Sequence, residues 1–364
     1  MEMQGAVPHV TVVVAVKHSQ ATIRQTVESL LAQDYQGSFD IRLVGDPDDP
    51  TWAGLGELRH HPQLRCLELA RPVEGRDVNL KRNMGLSEAT GDVLAVTDSD
   101  MVLDTSWLST GVRSLARGYE CAAGGMASTH DDYWGLYVDQ NVLGAKTPRV
   151  PSDYVLTRHN FGHVHRKPPI TANLLFTRAV WDTIGPFDTS FQRYEDYEWA
   201  WRVVAAGYEI LFVRDLCGGH HHRRGLRTLA RDYWYSGRGC AEFIATHRDS
   251  PLARRRLLQL GGVTAGAAAL IASLLLAPAE IVLASVVGLA LLLSCVELVG
   301  TRRLRALTFP FVTSVLAAAF YAGAIGKAVG ARGQAARRSA RPSSEANVWD
   351  QGRSPITHSH SSRR

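Results

Sequence analysis

Cysteine is sparse in this chain: five of 364 residues, Cys66, Cys121, Cys217, Cys240 and Cys295, with no Cys-x-x-Cys pair among them. That spacing argues against a zinc knuckle or a disulfide scaffold and fits a reducing compartment. Residues 1–9 have neither a basic stretch nor an apolar run, so no signal peptide is read there, and the larger part of the chain is expected to face the cytoplasm. No glycine occurs in residues 15–22, which argues against a glycine-rich phosphate loop after the first strand. Interleaved basic and aromatic residues that could form a nucleic-acid groove are also missing, so nucleic acid is not an expected partner.

The net charge of +5 belongs to one end of the chain. Arg332, Arg337, Arg338, Arg341, Arg353, Arg363 and Arg364 face only Glu345 and Asp350 within residues 331–364. That segment is poor in apolar residues and is expected to be a disordered basic tail, with anionic lipid as its better partner.

Before it lie three apolar stretches within a membrane region at residues 251–330. Residues 257–277 and 281–299 are each long enough to cross the hydrocarbon core, with a break at Ala277-Pro278-Ala279-Glu280. Arg254, Arg255 and Arg256 precede the first, and Arg302, Arg303 and Arg305 follow the second, so both ends of the hairpin read as cytoplasmic. The third stretch, residues 307–328, is also long enough to span, and length favours that reading. Spanning would put the basic tail outside, against the charge rule, and Phe309-Pro310-Phe311 leaves room for a re-entrant or interfacial helix instead.

The most informative motif is Gly91-Asp92-Val93-Leu94-Ala95-Val96-Thr97-Asp98-Ser99-Asp100. An apolar run reads as a buried strand, and it ends in two carboxylates one residue apart. Residues i and i+2 of an extended chain point the same way, so Asp98 and Asp100 can share one ligand. Hard oxygen donors suit Mg²⁺ or Mn²⁺, which bridge nucleotide phosphates. A solvated strand-end turn is the plain alternative.

Other elements surround it. Val10–Val16 reads as a strand, residues 21–32 as a helix, and Phe39–Val44 as a second strand ending in Gly45-Asp46-Pro47. Lys81-Arg82-Asn83-Met84-Gly85-Leu86 precedes the Asp-Ser-Asp strand, and Tyr194-Glu195-Asp196-Tyr197-Glu198-Trp199-Ala200-Trp201-Arg202 follows it. In this order, over roughly residues 8–245, the chain resembles the family 2 glycosyltransferases, inverting enzymes of GT-A fold that use nucleotide-diphospho-sugars.

The resemblance implies an α/β, Rossmann-like GT-A domain over residues 1–250, followed by transmembrane helices. It implies transfer of a sugar from a nucleotide-sugar, UDP-sugar favoured, to a lipid-linked or cell-envelope glycan acceptor at the cytoplasmic face of a membrane. Asp98 and Asp100 would hold Mn²⁺ or Mg²⁺, with Asp98 also on the donor side. Asp46 takes the place of the acid that reads uracil, or is a turn residue, and Ala15-Val16-Lys17-His18-Ser19 departs from the usual opening motif. Arg82 would be the counter-ion of the diphosphate, while Lys81 is read as solvated, and Asn83 and Gly85 as setting the loop before a helix. Asp196 would be the general base with Glu195 beside it, the competing reading being an acidic helix N-terminus. Asn173 and Trp199 are candidates for the acceptor side, or core residues. His220 and His222 could join the metal with His221 turned away. The Gln-x-x-Arg-Trp motif of processive synthases is absent. A sugar-phosphate nucleotidyltransferase and a non-catalytic nucleotide-sugar-binding scaffold are the rival functions.

Overall fold

A computed structural model describes residues 7–70, 77–141 and 150–339, with side chains as far as residue 330. Eleven strands are described: β1 (Val10–Ala15), β2 (Phe39–Gly45), β3 (Leu64–Glu68), β4 (Val93–Asp98), β5 (Met101–Leu103), β6 (Cys121–Gly124), β7 (Ala127–Ser128), β8 (Tyr154–Leu156), β9 (Asn173–Thr177), β10 (Ile210–Val213) and β11 (Gly218–His220). The helices of the same region are α1 (Ile23–Leu31), α2 (Thr51–Leu55), α3 (Val78–Ser87), α4 (Trp107–Leu115), α5 (Tyr133–Gln140), α6 (Arg178–Ile184), α7 (Glu195–Ala205) and α8 (Leu226–Thr246).

The main sheet has the order β3-β2-β1-β4-β9-β6-β10-β8. The four strands β3, β2, β1 and β4 run parallel, while β9 is antiparallel to both of its neighbours. Strand β1 is nearly all β-branched and buried on both faces, as a central parallel strand must be when helices cover both sides. Helix α1 buries Ile23, Thr26, Val27 and Leu30, a stripe at helical spacing that packs on one face of the sheet. The chain order reverses between β1 and β4, whose ends are in register as Ala15 opposite Asp98. Ligands of open α/β sheets bind at the carboxyl ends of strands at such a switch point.

A second sheet of three strands, β5-β11-β7, stands over that edge. Its antiparallel pairing sets His220 opposite Met101, so β11 arrives beside Asp100 from about 120 residues further along the chain.

Three helices follow: α9 (Pro251–Leu276), α10 (Ala279–Thr301) and, after a short 3₁₀ turn at Leu304–Thr308, α11 (Phe309–Ser339). All three are long and apolar enough to cross a membrane. Between Leu260 and Leu276 in α9 and between Ile281 and Val296 in α10 the helices carry no charged residue, and they expose Leu270, Ile271, Leu274, Leu275, Leu283, Leu291 and Leu292, a surface suited to lipid. The expected tail from residue 331 begins inside α11, which runs to Ser339; residues 340–364 lie outside the described residues.

Candidate active site

The carboxyl end of β4 delivers Asp98 and Asp100, and β11 delivers His220. One ligand atom from each lies within 4.8 Å of the others. His220 Nε2 stands 3.3 Å from Asp100 Oδ1. Burial works to raise the pKa of Asp100, but the hydrogen bond and charge of His220, with Arg223 and His222, hold it below the ordinary carboxylate value. His220 Nδ1 is buried without a hydrogen-bond partner. Two carboxylates and an imidazole make a mixed oxygen–nitrogen donor set that fits Mn²⁺, and Mg²⁺ less well.

The three histidines divide as expected, although β11 ends at His220 and a tight turn, His222 N–H to the His220 carbonyl at 2.9 Å, rather than strand alternation sets the directions of the next two. His220 and His222 face the cavity with ring centroids 4.2 Å apart. His221 turns away, its Nε2 2.8 Å from Gln25 Oε1 and its Nδ1 2.8 Å from Thr129 Oγ1.

On the far wall, α7 starts at Glu195 and has Glu195, Asp196 and Glu198 in its first turn. Tyr194 precedes it with φ +68°, a left-handed conformation that a tyrosine adopts at a cost. The motif is thus an acidic helix N-terminus as well as a cavity wall. Burial, then the charge of Glu195, push the Asp196 carboxyl up to about 8, against the pull of Arg82 and Arg193. A carboxyl with that affinity is suited to exchanging protons near neutral pH.

Arg82 joins the two walls. Its Nη2 donates to Asp98 Oδ1 at 2.8 Å and its Nη1 to Glu195 Oε1 at 3.3 Å. Arg82, expected as a counter-ion for a diphosphate, lines the cavity with both terminal nitrogens engaged by protein carboxylates. Lys81 corrects an expectation. It is buried, not solvated, because neighbours on a helix point about 100° apart, and it faces the ends of β1 and β2. Its Nζ lies 3.0 Å from Asp46 Oδ2, 3.0 Å from Asp77 Oδ2 and 3.0 Å from the Val16 carbonyl. Lys17 completes this cluster at 3.1 Å from Asp77 and 4.0 Å from Asp46. Asn83 and Gly85 sit within α3 rather than in a loop before it, and the Asn83 side chain pins the Phe187 backbone through both its amide atoms.

Two acceptor-side expectations are overturned by burial. Asn173 is fully buried: its Oδ1 accepts from Trp107 Nε1 at 2.8 Å and its Nδ2 donates to the carbonyls of Gly125 and Leu216. Trp199 is equally buried, its ring against Phe176 and Phe187 and its indole N–H on the Gly185 carbonyl. Neither reaches the cavity.

That cavity has a volume of about 490 Å³, and Lys17, Arg82, Asp98, Asp100, Glu195, Asp196, His220 and His222 line it. Arg193 and Arg223 line it too, both paired with Asp232 of α8 at 3.2 and 3.0 Å. Lys17 and Arg193 belong to none of the motifs that mark the site in the sequence. Lys17 follows the first strand directly, a position from which it could have been inferred; nothing local marks Arg193.

The family model described as glycosyl transferase family 2 matches residues 11–177, which include β1, β4, Arg82 and the Asp98/Asp100 pair. The catalytic domain is that of a family 2 glycosyltransferase. Among curated proteins, this glycosyltransferase is 23% identical over 225 residues to glycosyltransferase AglE of Haloferax volcanii, a match spanning 61% of this chain and 69% of that one. It is 28% identical over 244 residues to the O-antigen biosynthesis protein RfbC of Myxococcus xanthus, 63% of this chain but 19% of that protein. A solved structure, the mannosyltransferase PcManGT from Pyrobaculum calidifontis in complex with GDP-Man and Mn²⁺, superposes with a TM-score of 0.62 at 19% identity, covering 88% of this chain and 87% of that one. That likeness establishes a common GT-A fold for the two chains.

Proposed function

We propose that this enzyme transfers one sugar, with inversion, from a nucleoside-diphospho-sugar to a lipid-linked or cell-envelope glycan acceptor at the cytoplasmic face of a membrane. The observation that carries the proposal is the pairing, across one cavity, of an anionic Asp98/Asp100/His220 cluster with a proton-binding Asp196, held together by Arg82.

In this reading Asp98, Asp100 and His220 would hold Mn²⁺ or Mg²⁺, and the ion would supply charge neutralisation for the diphosphate leaving group. Lys17 and Arg193 add positive charge on the same cavity. Asp196, in its ionised form, takes the proton of the acceptor hydroxyl, and the charge of Glu195, itself tied to Arg82, raises the proton affinity of that carboxylate. For the nucleobase, Asp46 Oδ2 is engaged by Lys81 while its Oδ1 is buried with no partner, an acceptor suited to the imide N–H of uracil or the N1–H of guanine. UDP-sugars are therefore the first donors to test and GDP-mannose the next, since a protein of the same fold binds it with Mn²⁺.

The anchor and the charge beside it support a membrane acceptor. The basic first turns of α9 carry Arg254, Arg255 and Arg256, and Arg255 donates to the Gly162 carbonyl of the loop before β9 at 2.7 Å. Burial, then the nearby Arg256, lowers Lys167 of that loop to about 8. Arg254, Arg255 and Arg256 thus gather positive charge where the membrane helix meets the catalytic domain, which suits an anionic lipid carrier. Membranes containing the protein, incubated with a panel of labelled nucleotide-sugars with Mn²⁺ or with chelator, test the reading. Metal-dependent label in the lipid extract supports it; no turnover of any donor refutes it.

A further inference from the structure

The third apolar helix does not stand free like the first two. Helices α8 and α11 run side by side and parallel: Gly237 meets the backbone of Phe320, Gly323 meets the backbone of Trp234, and Lys327 pairs with Glu242 at 3.1 Å. An added Cβ would come within 1.8 Å of the Phe320 carbonyl at Gly237 and 2.0 Å of the Trp234 carbonyl at Gly323, so the two backbones touch. Upstream, Leu229 packs with Phe309, Val312 and Leu316, and Tyr137 and Asn141 hydrogen-bond Thr313 at 3.1 and 3.0 Å. From Phe309 to Lys327 the contact extends over roughly 27 Å of helix.

Helix α8 cannot follow α11 into hydrocarbon. It is built into the catalytic domain through Asp232, which pairs with the cavity residues Arg193 and Arg223, and through Cys240 and Phe243 in the core. It also carries Arg227, Arg231, Asp232, Arg238 and Glu242 along the length that α11 accompanies. Charges at mid-bilayer are expensive.

The outer faces of the pair have a different character. On α11, Phe311, Ala318, Ala322, Ile325 and Val329 form an exposed stripe at helical spacing. On α8, Arg227, Arg231, Trp234 and Arg238 stand at i, i+4, i+7 and i+11, with Arg238 over the Trp234 ring at 4.9 Å. Among the described residues no carboxylate pairs with these three arginines. An apolar stripe beside arginines and an exposed tryptophan matches the boundary between acyl chains and phosphates.

We propose that α8 and α11 lie together in the plane of the membrane interface, so that only α9 and α10 cross the bilayer and the chain after α11 stays on the face of the catalytic domain. The apolar stripe of α11 meets acyl chains, the arginine stripe of α8 meets lipid phosphates, and continuity with the α9–α10 hairpin sets the partner as the same bilayer.

Two measurements on the full chain in sealed vesicles test this. With epitopes at both termini, external protease removes both or spares both; protection of one alone overturns the proposal. With Cys66→Ser and Cys295→Ser as background, a polarity-sensitive dye is attached in turn at Phe311→Cys, Ala318→Cys, Ile325→Cys and Val329→Cys. All four are expected to be quenched more by lipids spin-labelled near the headgroup than by lipids labelled near the chain end. Adding Arg227→Gln, Arg231→Gln and Arg238→Gln should lower that shallow quenching at every site. Strongest deep quenching at Ala318 and Ile325, as in a spanning helix, overturns the proposal, as does absence of quenching or a triple variant identical to its parent.

Discussion

Asp100 and Asp196 line the same cavity, and burial raises the proton affinity of both, yet their charges settle in opposite directions. Asp100 meets His220, Arg223 and His222, and its carboxyl ends below the ordinary value. Asp196 meets Glu195 first, and its carboxyl rises to about 8. One side chain type thus supplies a carboxylate held ionised on the β4 wall and a carboxyl of high proton affinity on the α7 wall, and neighbours rather than residue identity set the difference.

The largest effect expected from breaking this comparison is at Asp100. Asp100→Ala removes an anionic ligand and should lower transfer by roughly a thousandfold or more, the equivalent of several kcal/mol of charge stabilisation. Nucleotide affinity measured with and without Mn²⁺ should lose its metal dependence in the variant. A wild type that stays fully active in chelator would show that Asp98, Asp100 and His220 hold no essential metal.

Asp196→Asn comes next. The amide keeps shape but takes no proton, so transfer should drop by roughly two to four orders of magnitude with donor affinity unchanged. Glu195→Gln should be milder, since its charge tunes and positions rather than accepts the proton. Near-normal transfer by folded Asp196→Asn protein would remove Asp196 from the mechanism.

The same substitution sharpens the comparison through stability. Because the folded-state pKa of Asp196 lies above its unfolded value, the folded protein binds the extra proton between about pH 4 and pH 8. Its contribution to stability is therefore fully present below pH 4 and is lost as pH rises through about 8, by at most about 1.4 kcal/mol per pH unit. Melting temperatures across that range should show Asp196→Asn gaining on the wild type as pH increases; parallel curves would mean the carboxyl titrates normally.

The smallest catalytic effect is expected at Asn173. Asn173→Ala leaves the Trp107 indole and two carbonyls without partners, costing about 1–3 kcal/mol of stability, while the acceptor KM stays unchanged. A raised KM at constant melting temperature would return Asn173 to the acceptor site.

What could be read in advance follows a physical divide. The strand of Val10–Ala15, the amphipathic α1, the acids at the end of β4 and the lipid-length α9 and α10 are local patterns, set by side-chain period and composition. The roles of Arg82, Lys81, Asn173 and Trp199 were not legible, because each depends on which distant group lies within hydrogen-bond reach. Lys81 and Arg82 are adjacent in sequence yet serve different ends of the site, Asp46 and Asp77 in one case, Asp98 and Glu195 in the other.

By itself, then, the sequence determined a parallel α/β core, the carboxylates available for metal and proton transfer, and an apolar C-terminal region. Only the tertiary structure decided that His220 joins Asp100, through antiparallel pairing of β11 with β5, and that Glu195 sits close enough to raise the pKa of Asp196. It alone also laid α11 along a charged helix of the catalytic domain while leaving α9 and α10 bare. Hydrophobic length shows that a helix can cross a membrane; it does not show what the helix packs against.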